Sequence, residues 1–222
     1  MHKSGHVDPV ADRVLSLLSG RPEAGHIILG GYFALQHYLD YRQTHDVDAW
    51  WKDRADAVAE DAIRRAMQQV AAEQGMELRE RRFGDTLSFE LANAGVQRFS
   101  FQIALRSIAV EEPQPSAWPP ILIETLADNI GAKMNALVNR GAPRDFLDIK
   151  AVADAGLLSM ARCWELWRAK NPGAPLEAAR QNLLLHLAGL EARRPLDSIA
   201  DPEARAHAEE VRRWFNKDFA KA

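Results

Sequence analysis

The sequence predicts an α+β chain, with a mixed β-sheet and flanking helices over residues 1–112 and a helical domain over 118–222. Three observations carry this. Two-residue alternation recurs in the first half, most clearly in Phe99-Ser100-Phe101-Gln102-Ile103-Ala104-Leu105, where the apolar side chains fall on one face of a strand. Pro113, Pro115, Pro119 and Pro120 then interrupt the chain and mark a linker or boundary. Beyond them, apolar residues recur at helical spacing almost to the end.

The elements follow in order. Asp8 before Pro9 is a helix start, a capping carboxylate followed by proline at the first helical position. Val10, Val14, Leu17 and Leu18 continue that helix until Gly20 and Pro22 stop it. His26 to Leu29 reads as a short buried strand, Tyr32 to Tyr41 as a short helix and Asp46 to Trp51 as a second strand. Asp53 to Gln74 is a long amphipathic helix. Met76 to Arg81 and Thr86 to Leu91 then read as strands, and Asn93-Ala94-Gly95 makes a tight connection to the strand ending at Leu105. These are expected to be adjacent and antiparallel. Helices are predicted over 123–139, 143–156, 159–170, 175–187 and 202–219.

Composition narrows the function classes. With 47% apolar and 27% charged residues, the chain reads as an ordinary soluble globular protein. A net charge of -3 excludes a chain-wide polybasic binder of nucleic acid but allows a local basic groove. The single Cys163 excludes an internal disulfide framework and a Cys-rich zinc site. It reads as a core thiol and fits a reducing cytoplasm. No apolar run is long enough to span a bilayer, so no membrane partner is expected. Met1 to Pro9 is polar and lacks a signal-peptide core. The seven histidines, His2 and His6 near the N-terminus included, show no metal-binding cluster. Trp164 and Trp167 are helix-spaced and read as core. Of Trp50 and Trp51, one should point into the sheet's core while the other is free to line a site.

The chemistry concentrates at Ile27-Ile28-Leu29-Gly30-Gly31 and at Arg42-Gln43-Thr44-His45-Asp46-Val47-Asp48. Alternation on a strand points Asp46 and Asp48 the same way. Paired carboxylates repel unless a cation or donors lie between them, and apolar Val47, Ala49, Trp50 and Trp51 make a solvated loop a poor explanation. A divalent cation carrying a nucleoside triphosphate is one solution. Gly30 and Gly31, between strand and helix, let the backbone approach a phosphate; they also suit a plain turn. Arg42 and Thr44 are substrate contacts or local caps for the strand, and Arg42 could instead pair with an aspartate. Lys133 and Arg140, seven apart, share a helical face. Asp145 and Asp148 follow at i,i+3, and Arg144 can reach Asp148 at i,i+4, as an exposed ion-pair helix would have it.

Taken in order, Gly30-Gly31, Arg42-x-Thr44-x-Asp46-Val47-Asp48, Lys133-x-x-Ala136-Leu137-x-x-Arg140 and Arg144-Asp145-Phe146-x-Asp148-Ile149 resemble the nucleotidyltransferase-like toxins of the AbiEii/AbiGii family. The resemblance runs from about residue 27 to 150. That family belongs to the DNA polymerase β-like nucleotidyltransferase superfamily, which implies a nucleotidyltransferase-like mixed sheet. It also implies a toxin of a toxin–antitoxin or phage-defence system that moves a nucleoside monophosphate from a nucleoside triphosphate to an acceptor hydroxyl. The acceptor would be RNA such as tRNA, or protein, and an antitoxin would be the cognate partner. By the same resemblance, Asp46 and Asp48 would hold Mg2+ and act in catalysis. Gly30, Gly31, Arg42, Thr44, Lys133 and Arg140 would bind the nucleotide, with Lys133 on its phosphates. Asp148, ahead of Asp145, would act in catalysis from the helical half, with the active site in the cleft between the two domains. Where the superfamily usually carries a third carboxylate, this chain has Gln102, with Glu90 on the neighbouring strand as a substitute. Gly31 stands where many members have serine. Gln102 motivates the alternative of an impaired nucleotidyltransferase fold that binds a nucleotide or protein partner without chemistry.

Overall fold

A capping carboxylate opens the first helix. Asp8 accepts hydrogen bonds from the backbone N–H groups of Val10 and Ala11, and α1 runs from Pro9 to Leu18. Its buried stripe is Ala11, Val14, Leu15 and Leu18. The computed structural model describes residues 6–106 and 108–222, so His2 lies outside the described residues. The chain divides into two compact units, the first ending at Asn129 and the second beginning at Ile130.

In the first unit, β1 spans Ile27–Gly30, α2 Gly31–Leu35, β2 Asp46–Trp51 and α3 Ala57–Gln74. The strands β3 (Glu77–Phe83), β4 (Thr86–Asn93), β5 (Val96–Leu105), β6 (Gln114–Pro115) and β7 (Leu122–Ile123) follow. They form one seven-stranded sheet in the order β3-β4-β5-β2-β1-β7-β6. The β3-β4-β5 meander is antiparallel, as the alternation predicts. β2, the middle strand, is antiparallel to β1 and parallel to β5, so the sheet is mixed. The side chains Val47, Ala49 and Trp51 of β2 join α1, α3, Phe89, Phe99, Phe101 and Ile103 in one continuous core. Asp46, Asp48 and Trp50 therefore occupy the opposite, polar face.

Two local expectations change. The proline-rich segment is not a bare linker: Gln114 and Pro115 pair with β7, which pairs parallel with β1. Both strands are two residues long, too short for alternation to register. The helix expected over Tyr32 to Tyr41 is only five residues long. The Tyr32 hydroxyl accepts the N–H groups of Tyr41 and Arg42 and donates to the Arg42 carbonyl. That tie folds the chain back as a loop instead of continuing the helix.

The unit division falls within α4 (Leu126–Asn139). The second unit adds α5 (Pro143–Asp154), α6 (Met160–Lys170), α7 (Leu176–Arg193) and α8 (Pro202–Lys217). These match the predicted helices to within a few residues, except that α7 continues to Arg193. Its core is aromatic: the Phe146 and Phe215 rings meet edge-to-face at 4.9 Å, and the Trp164 indole donates to the Phe219 carbonyl. Trp164 and Trp167 are both core residues, as predicted. Among the described residues, no helix is long and apolar enough to cross a membrane.

Candidate functional site

The strand register fixes how the first unit's predicted residues meet. Asp48 lies opposite Gly30 on one side and Gln102 on the other, while Asp46 lies opposite Ser100. Gln102 in turn faces Ser88, and Ser100 faces Glu90. The polar face thus carries two cross-strand rows, Glu90-Ser100-Asp46 and Ser88-Gln102-Asp48-Gly30. The Ser100 hydroxyl donates to Asp46 Oδ1 at 2.6 Å, which fixes that carboxylate's orientation. Glu90 is 3.8 Å from the Arg81 guanidinium.

Gly30 and Gly31 are both required by close approach. Gly31 has φ +58°, a backbone region that side-chain-bearing residues adopt only at a cost. A Cβ there would also sit 2.8 Å from Asp48 Cγ and collide with the carboxylate itself. A Cβ on Gly30 would overlap the Trp50 indole nitrogen and lie 2.9 Å from Glu124 Oε2. The sheet's carboxylate and the glycine turn therefore occupy one small volume. Because α2 has five residues, what the turn offers is close backbone approach rather than the dipole of a long helix.

Two residues behind this turn are not found by the sequence motifs. The Asn129 amide donates to the Gly31 carbonyl at 2.8 Å and to Glu124 Oε2 at 3.0 Å. Both residues are buried, and the Glu124 N–H donates to the Leu29 carbonyl. They clamp the turn from the far side of β1. The available signal was a carboxylate inside the apolar run Ile121-Leu122-Ile123-Glu124. Nearby, buried Asp128 accepts the N–H groups of Val110 and Glu111 and sits 3.1 Å from Arg106.

The remaining first-unit positions lie on the loop before β2. The Thr44 hydroxyl accepts the Asp46 N–H at 3.1 Å and donates to the Asp46 carbonyl at 3.3 Å, which is the cap alternative of the sequence reading. The Arg42 guanidinium lies 3.6 Å over the Tyr32 ring. Trp51 is buried in the core, whereas Trp50 continues the Asp46-Asp48 face with a buried indole N–H that has no hydrogen-bond partner among the described residues.

In the second unit, Lys133 Nζ on α4 donates to Asp148 Oδ2 on α5 at 2.5 Å, and both side chains are buried. Arg140 makes two bonds to the Asp145 carboxylate, at 2.9 and 3.0 Å. Asp145 also accepts the Ala142 N–H at the start of α5. The first pair joins α4 to α5, the second joins the turn after α4 to α5, and Arg144 is exposed. The exposed i,i+4 pairing of Arg144 with Asp148 gives way to a buried contact because α5 turns both aspartates toward α4. Among the described residues, no group of three or more His, Cys, Asp or Glu side chains could hold a metal ion. The Asp46-Asp48 pair has the all-oxygen chemistry that suits Mg2+, an ion that commonly takes only one or two protein carboxylates.

A mixed sheet whose middle strand presents paired carboxylates beside a glycine turn, followed by helices, is a nucleotidyltransferase-like fold. The family model for the nucleotidyl transferase AbiEii toxin of type IV toxin–antitoxin systems matches residues 13–220, and the chain belongs to that family. Among solved structures, the chain is similar to the Megavirus polyadenylate synthase at 8% identity and a TM-score of 0.37. The match covers 90% of this chain and 48% of that one. This chain thus spans about half the length of that relative. No curated protein matches it.

Proposed function

We propose that the protein is a Mg2+-dependent nucleotidyltransferase that moves a nucleoside monophosphate from a nucleoside triphosphate to an acceptor hydroxyl. The carrying observation is the volume shared by Asp48 and Gly31, a carboxylate held against a backbone turn that admits no side chain. Asp46 and Asp48 would hold the ion, which when bound neutralises charge on the phosphates. Gly30 and Gly31 bring backbone to the phosphates, and Arg42 and Thr44 border the approach. Lys133 and Arg140 would add positive charge to the nucleotide site, with Lys133 on the phosphates. Asp148 would hold the Lys133 ammonium and act in catalysis. The acceptor oxygen bonds to the α-phosphorus, the bond from that phosphorus to the bridging oxygen breaks, pyrophosphate leaves and the hydroxyl proton passes to solvent or a base. The chain's part is positioning and electrostatics.

Family membership supports a toxin working in the cytoplasm, with RNA such as tRNA, or a protein, as acceptor and a cognate antitoxin as partner. The deciding measurement is thermal stability with each of the four nucleoside triphosphates, with and without Mg2+. Ligand that binds only the native state raises the melting temperature by mass action. A Mg2+-dependent rise that Asp48→Ala abolishes is expected, and no rise with any triphosphate refutes the reading. Gln102, exposed and in register with Asp48, favours a second reading in which the fold binds without chemistry. A nucleotide-induced rise with no pyrophosphate released in the presence of RNA acceptors would select it.

A further inference from the structure

The second unit contains a cavity that the nucleotide chemistry does not use. Its volume is about 390 Å³, and Phe146, Leu147, Leu187, Leu190, Ile199 and Val211 make its apolar wall. These residues come from α5, α7, α8 and the 194–201 loop. Arginine bonds shape that loop: Arg205 donates twice to the Ile199 carbonyl, and Arg212 Nη2 donates to the Arg194 carbonyl at 2.6 Å.

Arg212 is the anomaly. It lines the cavity yet is only 7% exposed. Its hydrogen bond goes to a carbonyl, and among the described residues no carboxylate forms an ion pair with it. Glu191, Asp197 and Glu209 border a second cleft that Arg212 also touches, but among the described residues no acid lines the apolar cavity. A mostly buried arginine whose guanidinium bonds only a carbonyl keeps donors in reserve, and a carboxylate or comparable anion takes them up with charge-assisted bonds. The volume is that of an ordinary small-molecule site, mostly apolar with a few polar groups, here Arg212 with the exposed Arg194 and with Ser198.

We infer that this cavity is a binding site for a small monoanionic amphiphile, with its apolar arm against Phe146, Leu187 and Val211 and its anionic head on Arg212. The site is independent of the nucleotide reading.

The test uses the full chain with decanoate as probe, below its micellar concentration, against 1-decanol and decyltrimethylammonium, followed by titration calorimetry. Decanoate should bind about tenfold more tightly than the alcohol, the difference a single charged hydrogen bond makes, and the cation should bind least. Arg212→Gln should bring decanoate and decanol to parity, and Leu147→Trp, which fills the cavity from a half-buried position, should abolish binding of both. Equal binding of all three probes, binding indifferent to Leu147→Trp, or no decanoate binding overturns the inference. If Arg212→Gln does not fold, the head-group comparison on the unaltered protein decides alone.

Discussion

At the scale of single residues, Gly31 is the most constrained position in the first unit. Its positive φ and its contact with Asp48 are independent reasons for the missing side chain. Gly31→Ala should therefore cost about 1–3 kcal/mol of stability from backbone strain. It should also displace the Asp48 carboxylate, so urea unfolding and the Mg2+-dependent nucleotide shift should fall together. A mutant with normal stability and an unchanged shift would show that the turn and the carboxylate are not coupled. The sequence pointed to the glycines and the aspartates separately. It could not show that they collide, because the contact arises from the antiparallel register of β1 and β2, in which Gly30 faces Asp48.

At the scale of elements, strands of four or more residues and every helix of the second unit were legible because periodicity needs only a few repeats to declare itself. β6 and β7 were not, since two residues have no period. The helical motifs were legible as charges and misplaced as partners: Lys133 and Asp148 are fifteen residues apart, and only the packing of α4 on α5 joins them. Their burial changes how a mutant must be read. Lys133→Met leaves a buried carboxylate without that partner and should cost about 3–5 kcal/mol. The double variant Lys133→Met/Asp148→Leu should recover most of that loss in a urea melt. If the single variant is as stable as the unaltered chain, the pair contributes nothing to the fold, and any loss of transfer is chemical. If the cycle behaves as expected, a loss of activity in Lys133→Met alone is no evidence of catalysis, and transfer must be measured in the stable double variant.

At the scale of the whole molecule, the lone Cys163 reports on the second unit. Burial pushes its thiol up to about 12, because the apolar surroundings penalise the thiolate, which is the reactive form. At pH 8 to 9, where an exposed thiol reacts readily, labelling of the folded chain should be slow and should track unfolding in denaturant. Fast labelling of the native protein would mean that the α6 core opens on its own. The first unit carries a different consequence. β2 is the middle strand of seven, with partners along both edges, and its side chains alternate between core and polar face. Loss of one residue from inside the strand, Val47 for instance, would leave the composition almost untouched yet exchange the two sets beyond that point, sending Asp48 into the hydrocarbon and Trp51 out of it. A strand hemmed in on both sides cannot slide to repair such a shift. This stretch can therefore drift by substitution, whereas its length is frozen.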